Sequence, residues 1–138
     1  MKEYSYGIIP YKFDNHGVSI LLAKTSKNSE YGFIKGKIDF NETPKECTVR
    51  EVFEEIGVKI NIDDLEEFVF QRNPKKDIGL FFINWGKYLN LKFKLAPKEI
   101  HSINWFSLNK IPNISKNQKK IVTDINIKFN KLNFLKQL

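Results

Sequence analysis

The sequence predicts a single α/β domain in which a mixed β-sheet lies between helices. Turn-punctuated β-rich runs flank one helix whose two ends are both marked, and a second amphipathic helix closes the chain. At 138 residues and 41% hydrophobic content, the chain is long and apolar enough to enclose one core. No internal repeat, low-complexity tract or long linker divides it, so residues 1–138 read as one domain.

Tyr4 to Phe13 and Val18 to Thr25 are β-rich runs joined by Asp14-Asn15-His16-Gly17, which predicts a hairpin. The first helix follows. Thr43 suits its N-cap, Pro44 the first helical position, and Glu46 closes a capping box, while Gly57 supplies the left-handed residue past the last turn. Val49, Val52, Phe53 and Ile56 fall at i, i+3, i+4 and i+7, so this stripe is expected to face the core. Phe68 to Arg72 and Ile78 to Tyr88 predict a second strand pair, in which Phe81 and Phe82 are core, and Ile100 to Phe106 a further strand. The last helix is expected from Ser115, with Gln118 closing a second capping box and Ile121, Ile125, Phe129 and Leu132 on one side.

On the first helix, Glu51, Glu54 and Glu55 fan over roughly 100° opposite the apolar stripe. Carboxylates this crowded repel one another, so they require either solvent or a cation. Oxygen donors with no histidine or thiolate nearby favour Mg²⁺ or Mn²⁺ over zinc, and magnesium commonly shares its shell with substrate phosphate oxygens. A phosphate compound is the expected substrate; a merely solvated acidic face is the alternative.

Gly36, Glu42, Arg50, Glu51, Glu54, Glu55 and Gly57, with apolar Val52 and Val58, follow the pattern G, five residues, E, seven residues, R-E-apolar-x-E-E-x-G-apolar. With each fixed residue at about 6% background frequency and each apolar position at about a third, a chance match is on the order of 10⁻⁹ or rarer. The pattern resembles the signature of the Nudix hydrolases. That resemblance implies the Nudix fold, an α/β/α sandwich with a mixed sheet. It also implies hydrolysis of a nucleoside diphosphate linked to another group, by water attack on a phosphorus of the pyrophosphate. Glu51, Glu54 and Glu55 would be metal ligands, the Gly36 carbonyl would reach a metal, Arg50 would hold the glutamates in place, and Glu42 would brace loop and helix.

The stretches Tyr31-Gly32-Phe33-Ile34-Lys35-Gly36-Lys37-Ile38-Asp39, Cys47 to Val52, and Glu99-Ile100-His101-Ser102-Ile103-Asn104-Trp105-Phe106 are similar to the catalytic domain of the messenger-RNA decapping subfamily. Tyr31 and Ile34 stand where that subfamily has tryptophan and proline. The likeness implies Glu99 as general base or additional metal ligand, and an RNA 5′ end or cap as the favoured substrate. Dinucleoside polyphosphates and nucleoside triphosphates are alternatives, as are a non-catalytic RNA-binding module and an interaction subunit that docks through its last helix.

Lys35 and Lys37, beside the metal loop, are expected to contact phosphate, and Tyr31 and Phe33 to stack on a base. Cys47 reads as a small filler and His101 as uncatalytic. The net charge of +7 is concentrated late, where Lys110, Lys116, Lys119, Lys120, Lys128, Lys131 and Lys136 face a single Asp124. Either RNA contact or a solvated lysine face accounts for that helix. With one cysteine and neither a signal-peptide pattern nor an apolar run of membrane-spanning length, a cytoplasmic protein without membrane contact is expected. Sequence sets no oligomeric state.

Overall fold

The computed structural model describes residues 1–15, 17–25 and 30–137, with side chains through residue 130. His16, Leu132, Lys131 and Lys136 lie outside the residues or side chains described. Strands β1 (Glu3–Asp14), β2 (Gly17–Lys24), β3 (Tyr31–Gly32) and β4 (Ile34–Lys37) precede helix α1 (Pro44–Ile56). Strands β5 (Phe68–Gln71), β6 (Lys76–Asn84) and β7 (Ser102–Ser107) then lead to helix α2 (Lys119–Gln137). The sheet runs β3-β2-β1-β6-β5, with β4 added to β1 and β7 to β2. It is mixed, because β1 and β6 are parallel and the other pairs antiparallel.

Both faces of the sheet are apolar. Along β1 and β2, Ile8 and Leu21 point to the α1 side, where they meet Val52 and Ile56, and Ile9 and Leu22 point to the α2 side, where they meet Ile121, Ile125 and Phe129. Successive strand side chains alternate between faces, so a sheet apolar on both must be covered on both, which gives the α/β/α sandwich.

Helix α1 has the predicted ends. Thr43 and Glu46 form the capping box, and Gly57 stops the helix with φ 72° and an N–H donated to the Phe53 carbonyl. Its predicted core face needs correction, because Phe53 is 56% exposed and Glu55 is buried beside Thr48, Val52 and Ile56. The buried face is therefore rotated toward Glu55, which the wheel had set on the solvent side.

Three other boundaries differ. Asn84 ends β6 by accepting the Gly86 N–H, so the expected strand to Tyr88 becomes a 3₁₀ turn over Trp85–Tyr88 that still buries both rings. Ile100 bonds back to the Ala96 carbonyl in a turn, and β7 begins only at Ser102. Ser115 makes no side-chain cap, and the Gln118 amide is drawn away to the Phe33 backbone, so the second capping box does not form. The short strands β3 and β4 had no alternating pattern to predict them.

Candidate active site

Strands β3 and β4, the N-terminal side of α2, the flank of α1 and residues 98–100 enclose a cleft of about 550 Å³. Its acidic wall is built around Gly36. A Cβ there would stand 2.0 Å from the Glu51 carboxylate, so only glycine lets the strand and that side chain come this close. Glu55 reaches the same wall and accepts the Lys35 backbone N–H at 3.2 Å. Glu99 is brought in by tertiary docking: the N–H groups of Lys94 and Ala96 satisfy the last α1 carbonyls, those of Ile56 and Glu55, at 2.8 and 2.9 Å. Gly57 permits that docking, since a Cβ on it would lie 2.7 Å from Lys94.

Arg50 ties the acidic side chains together. Its guanidinium meets Glu42 through two bonds of 2.7 and 2.9 Å, Glu51 at 2.8 Å, Glu54 at 3.1 Å and the Lys37 carbonyl at 3.0 Å. Glu42 also accepts the Asp39 N–H at 2.8 Å, which fastens the loop to the helix. Those contacts hold the Glu42 carboxyl below its ordinary range, chiefly through Arg50, and raise the Arg50 pKa. Burial acts oppositely on the inner carboxylates: Glu51 is raised despite Arg50, and Glu55 is pushed up to about 8. Burial also lowers Lys35 to about 8.

Among the described residues, no group of three or more His, Cys, Asp and Glu side chains is gathered closely enough to hold a metal ion. Glu51 and Glu54 are instead turned onto Arg50. The donor chemistry nevertheless fits a hard divalent cation: carboxylates of Glu51, Glu55 and Glu99 share the cleft with Gly36, and burial disfavours the charge of Glu51 and Glu55 until a cation offsets it.

The sequence matches the NUDIX domain family over residues 1–125. This chain belongs to the NUDIX family. It is 32% identical over 111 residues to the m7GpppN-mRNA hydrolase dcap-2 of Caenorhabditis elegans, a match covering 78% of this chain and 14% of that protein. Identity to the mRNA decapping complex subunit 2 of Schizosaccharomyces pombe is 34% over 104 residues, 72% of this chain and 14% of the relative. The NAD-capped RNA hydrolase NudC of Pseudomonas aeruginosa is 28% identical over 70% of this chain and 34% of its own length. The chain thus spans about one seventh of the decapping relatives. Two solved structures share the fold. The MutT NUDIX hydrolase from Burkholderia pseudomallei has TM-score 0.67 and 17% identity, covering 90% of this chain and 97% of its own. The Ap4A hydrolase binary complex of C. elegans has TM-score 0.62 and 19% identity, covering 99% of both.

In this NUDIX domain, Gly36, Glu51, Glu55, Glu99, Lys35, Lys37, Tyr31 and Phe33 line one cleft, whereas Arg50 and Glu54 are not part of its lining. Lys37 is exposed and pairs with Glu3 at 3.5 Å. Tyr31 is half-buried, packed edge-on against Phe106 at 4.9 Å, with Lys24 Nζ 5.9 Å from its ring centre. Phe33, expected to stack on a base, reaches the cleft with only 4% of its surface exposed, and the rest of its ring packs in the core beneath α2. Cys47 is buried with its Sγ 3.5 Å from the Gly36 carbonyl, and burial pushes its thiol up to about 11, as suits a filler. His101 is exposed, and its backbone N–H bonds to the Lys24 carbonyl. Lys128 pairs with Glu67 and lies 4.7 Å from the Phe82 ring centre. Sequence reasoning missed the part of Gln118 in the cleft, because its partner Phe33 is 85 residues away. It also missed the burial of Glu55, for which an acidic residue carries no signal. No described helix is long and apolar enough to cross a membrane.

Proposed function

We propose that this chain is a Mg²⁺- or Mn²⁺-dependent pyrophosphohydrolase that cleaves a nucleoside diphosphate linked to another group, with an RNA 5′ end or cap as the favoured substrate. One observation carries the reading: Glu51, Glu55 and Glu99, from a helix and a separate loop, meet Gly36 in one cleft beside Lys35. The named activities of its curated relatives agree, since an m7GpppN-mRNA hydrolase and an NAD-capped RNA hydrolase both act at the 5′ end of RNA.

The Gly36 carbonyl, Glu51, Glu55 and Glu99 would hold the cations, and Glu54, which shares Arg50 with Glu51, would complete the set. Bound there, the ions supply charge neutralisation, polarisation of the phosphorus and acidification of the attacking water. Arg50 fixes where the glutamates stand through the Glu42 brace. Lys35 and Lys37 bind phosphate oxygens at the cleft wall. Glu99, exposed and not locked by α1, is the group that takes the water proton when it is not acting as a ligand. With a single buried cysteine, the protein suits a reducing cytoplasm.

Purified protein with Mg²⁺ or Mn²⁺ is expected to release product from capped or 5′-triphosphorylated RNA with higher kcat/KM than from diadenosine tetraphosphate or nucleoside triphosphates. Turnover of none of the four removes the enzyme reading, and a preference for the small nucleotides moves the substrate assignment to them.

A further inference from the structure

The cleft that holds the acidic wall is also lined by Gln118, a polar side chain whose bonding is half complete. Gln118 is 6% exposed, and its Oε1 accepts the Phe33 backbone N–H at 2.7 Å. An N–H can only donate, so the amide atom facing Phe33 must be the oxygen, and this fixes the amide nitrogen on the other side. Among the described residues Nε2 meets no hydrogen-bond partner, yet it is not sealed from solvent, and the side chain lines the cleft. The amide lies flat over Gly32, where a Cβ would come within 2.8 and 2.9 Å of its oxygen and nitrogen. The glycine is what lets an amide be stationed there.

Position adds a second argument. Gln118 sits over Gly32 and Phe33, while the carboxylates gather at Gly36. Four residues of extended chain span up to about 13 Å at 3.3 Å per residue. Both positions line one cleft, which lets a nucleoside diphosphate be placed with its phosphates at Gly36 and the far edge of its base at Gln118. Half-buried Tyr31 adds an apolar wall at the same end. An immobilised donor favours a base presenting a ring carbonyl on that edge and opposes one presenting an amino group, because two donors then face each other.

We propose that Gln118 selects the base, so that the cleft takes guanine or uracil nucleotides in preference to adenine or cytosine ones. This rests on the hydrolase reading for the placement of the phosphates, but its test does not require hydrolysis. Affinities of the full chain for GMP, UMP, AMP and CMP, measured by calorimetry with Mg²⁺ present, are expected to favour the oxo bases by about five- to tenfold. Gln118→Glu keeps an oxygen for the Phe33 N–H and replaces the inward donor by an acceptor. It is expected to abolish or reverse the ratio of oxo to amino bases, and the ratio cancels any general repulsion of phosphate. Gln118→Leu, which has no donor, is expected to level the four affinities. Equal affinities in the unsubstituted protein, a preference for adenine or cytosine, no binding of any monophosphate, or an unchanged ratio in Gln118→Glu would each overturn the proposal. Hydrolysis of pyrophosphate substrates without base preference would overturn it while leaving the hydrolase reading intact.

Discussion

Substituting Gly36 by alanine separates the acidic site from the stability of the fold. The new Cβ would fall 2.0 Å from the Glu51 Cδ, and ordinary contact begins near 3.4 Å, so the carboxylate must retreat by at least 1.4 Å. What it meets is the far end of a flexible side chain, and Gly36 is not among the positive-φ glycines, so the backbone itself is not strained. The retreat breaks the 2.8 Å contact between Glu51 and Arg50, while the paired bonds from Arg50 to Glu42 remain. Partly exposed ion pairs contribute about 0.2–1 kcal/mol, and the variant is expected to lose no more than that in urea unfolding. A displacement of about 1 Å at a reacting centre can cost 10²-fold, so kcat/KM is expected to fall on the order of 10²-fold, with Mn²⁺ affinity weakened in parallel by calorimetry. Unchanged rate and Mn²⁺ affinity would refute the reasoning. So would a stability loss above about 3 kcal/mol, because the backbone rather than the carboxylate would then be absorbing the clash.

Gly57→Ala forces a side chain into φ 72° and against Lys94 at 2.7 Å. It is expected to destabilise by about 1–3 kcal/mol in denaturant, and amide exchange at Lys94 and Ala96, whose N–H groups cap α1, should accelerate. Unaltered exchange there would dissociate Gly57 from the placement of Glu99. Glu54→Gln is expected to keep the fold and lose activity on the order of 10²-fold, since Glu54 is exposed at 54% and its neutralisation disturbs no core. Rates equal to the parent would remove Glu54 from the metal set. Metal uptake should release protons, because Glu55, raised to about 8 by burial, must ionise to serve as a ligand. At pH 7, calorimetric heats in buffers of different ionisation enthalpy should report that proton, and the release should vanish well above pH 8. Buffer-independent heats at pH 7 would contradict it.

The legible parts of this sequence were those whose causes are local. Thr43, Pro44 and Glu46 begin α1 and Gly57 ends it through bonds within one turn, so spacing alone suffices to place the helix. The Gly36 to Gly57 pattern likewise located the acidic wall, because Arg50 reaches Glu42, Glu51 and Glu54 along the same short stretch. Contacts between distant segments were not legible. Ser115 and Gln118 have the spacing of a capping box, but the Phe33 N–H competes for the amide and wins it. Strands β3 and β4 are too short to alternate, and β3 exists because β2 pairs with it and Tyr31 exchanges backbone bonds with Asn113 and Ser115. Phe53 illustrates the limit of a helical wheel. Hydrophobicity put it in the core, whereas the direction from which the sheet approaches α1 left it in solvent and buried Glu55.

That exchange gives the strongest test of whether α1 is shaped by packing or by chemistry. Thr48, Val52, Glu55 and Ile56 form the buried face, so a carboxylate occupies a position where an apolar side chain would pack without penalty. Its protein partners are the Lys35 N–H at 3.2 Å and the Lys35 charge, and Lys35 is itself lowered to about 8, so this compensation fades above that pH. For a carboxyl raised from 4.5 to about 8, the folded state binds more protons than the unfolded one between those values, so its contribution to stability falls as pH rises through that window. Below pH 4.5 both states are protonated and the penalty is absent. Glu55→Gln keeps the shape and an acceptor for Lys35 while removing the charge. The metal-free variant is therefore expected to be more stable than the parent by about 1–3 kcal/mol at pH 8.5, to match it near pH 4, and to lose divalent-metal binding. Such a combination can arise only if α1 retains a destabilising group for what it binds. A variant less stable than the parent at pH 8.5, or one differing from it equally at both pH values, would make Glu55 a structural residue.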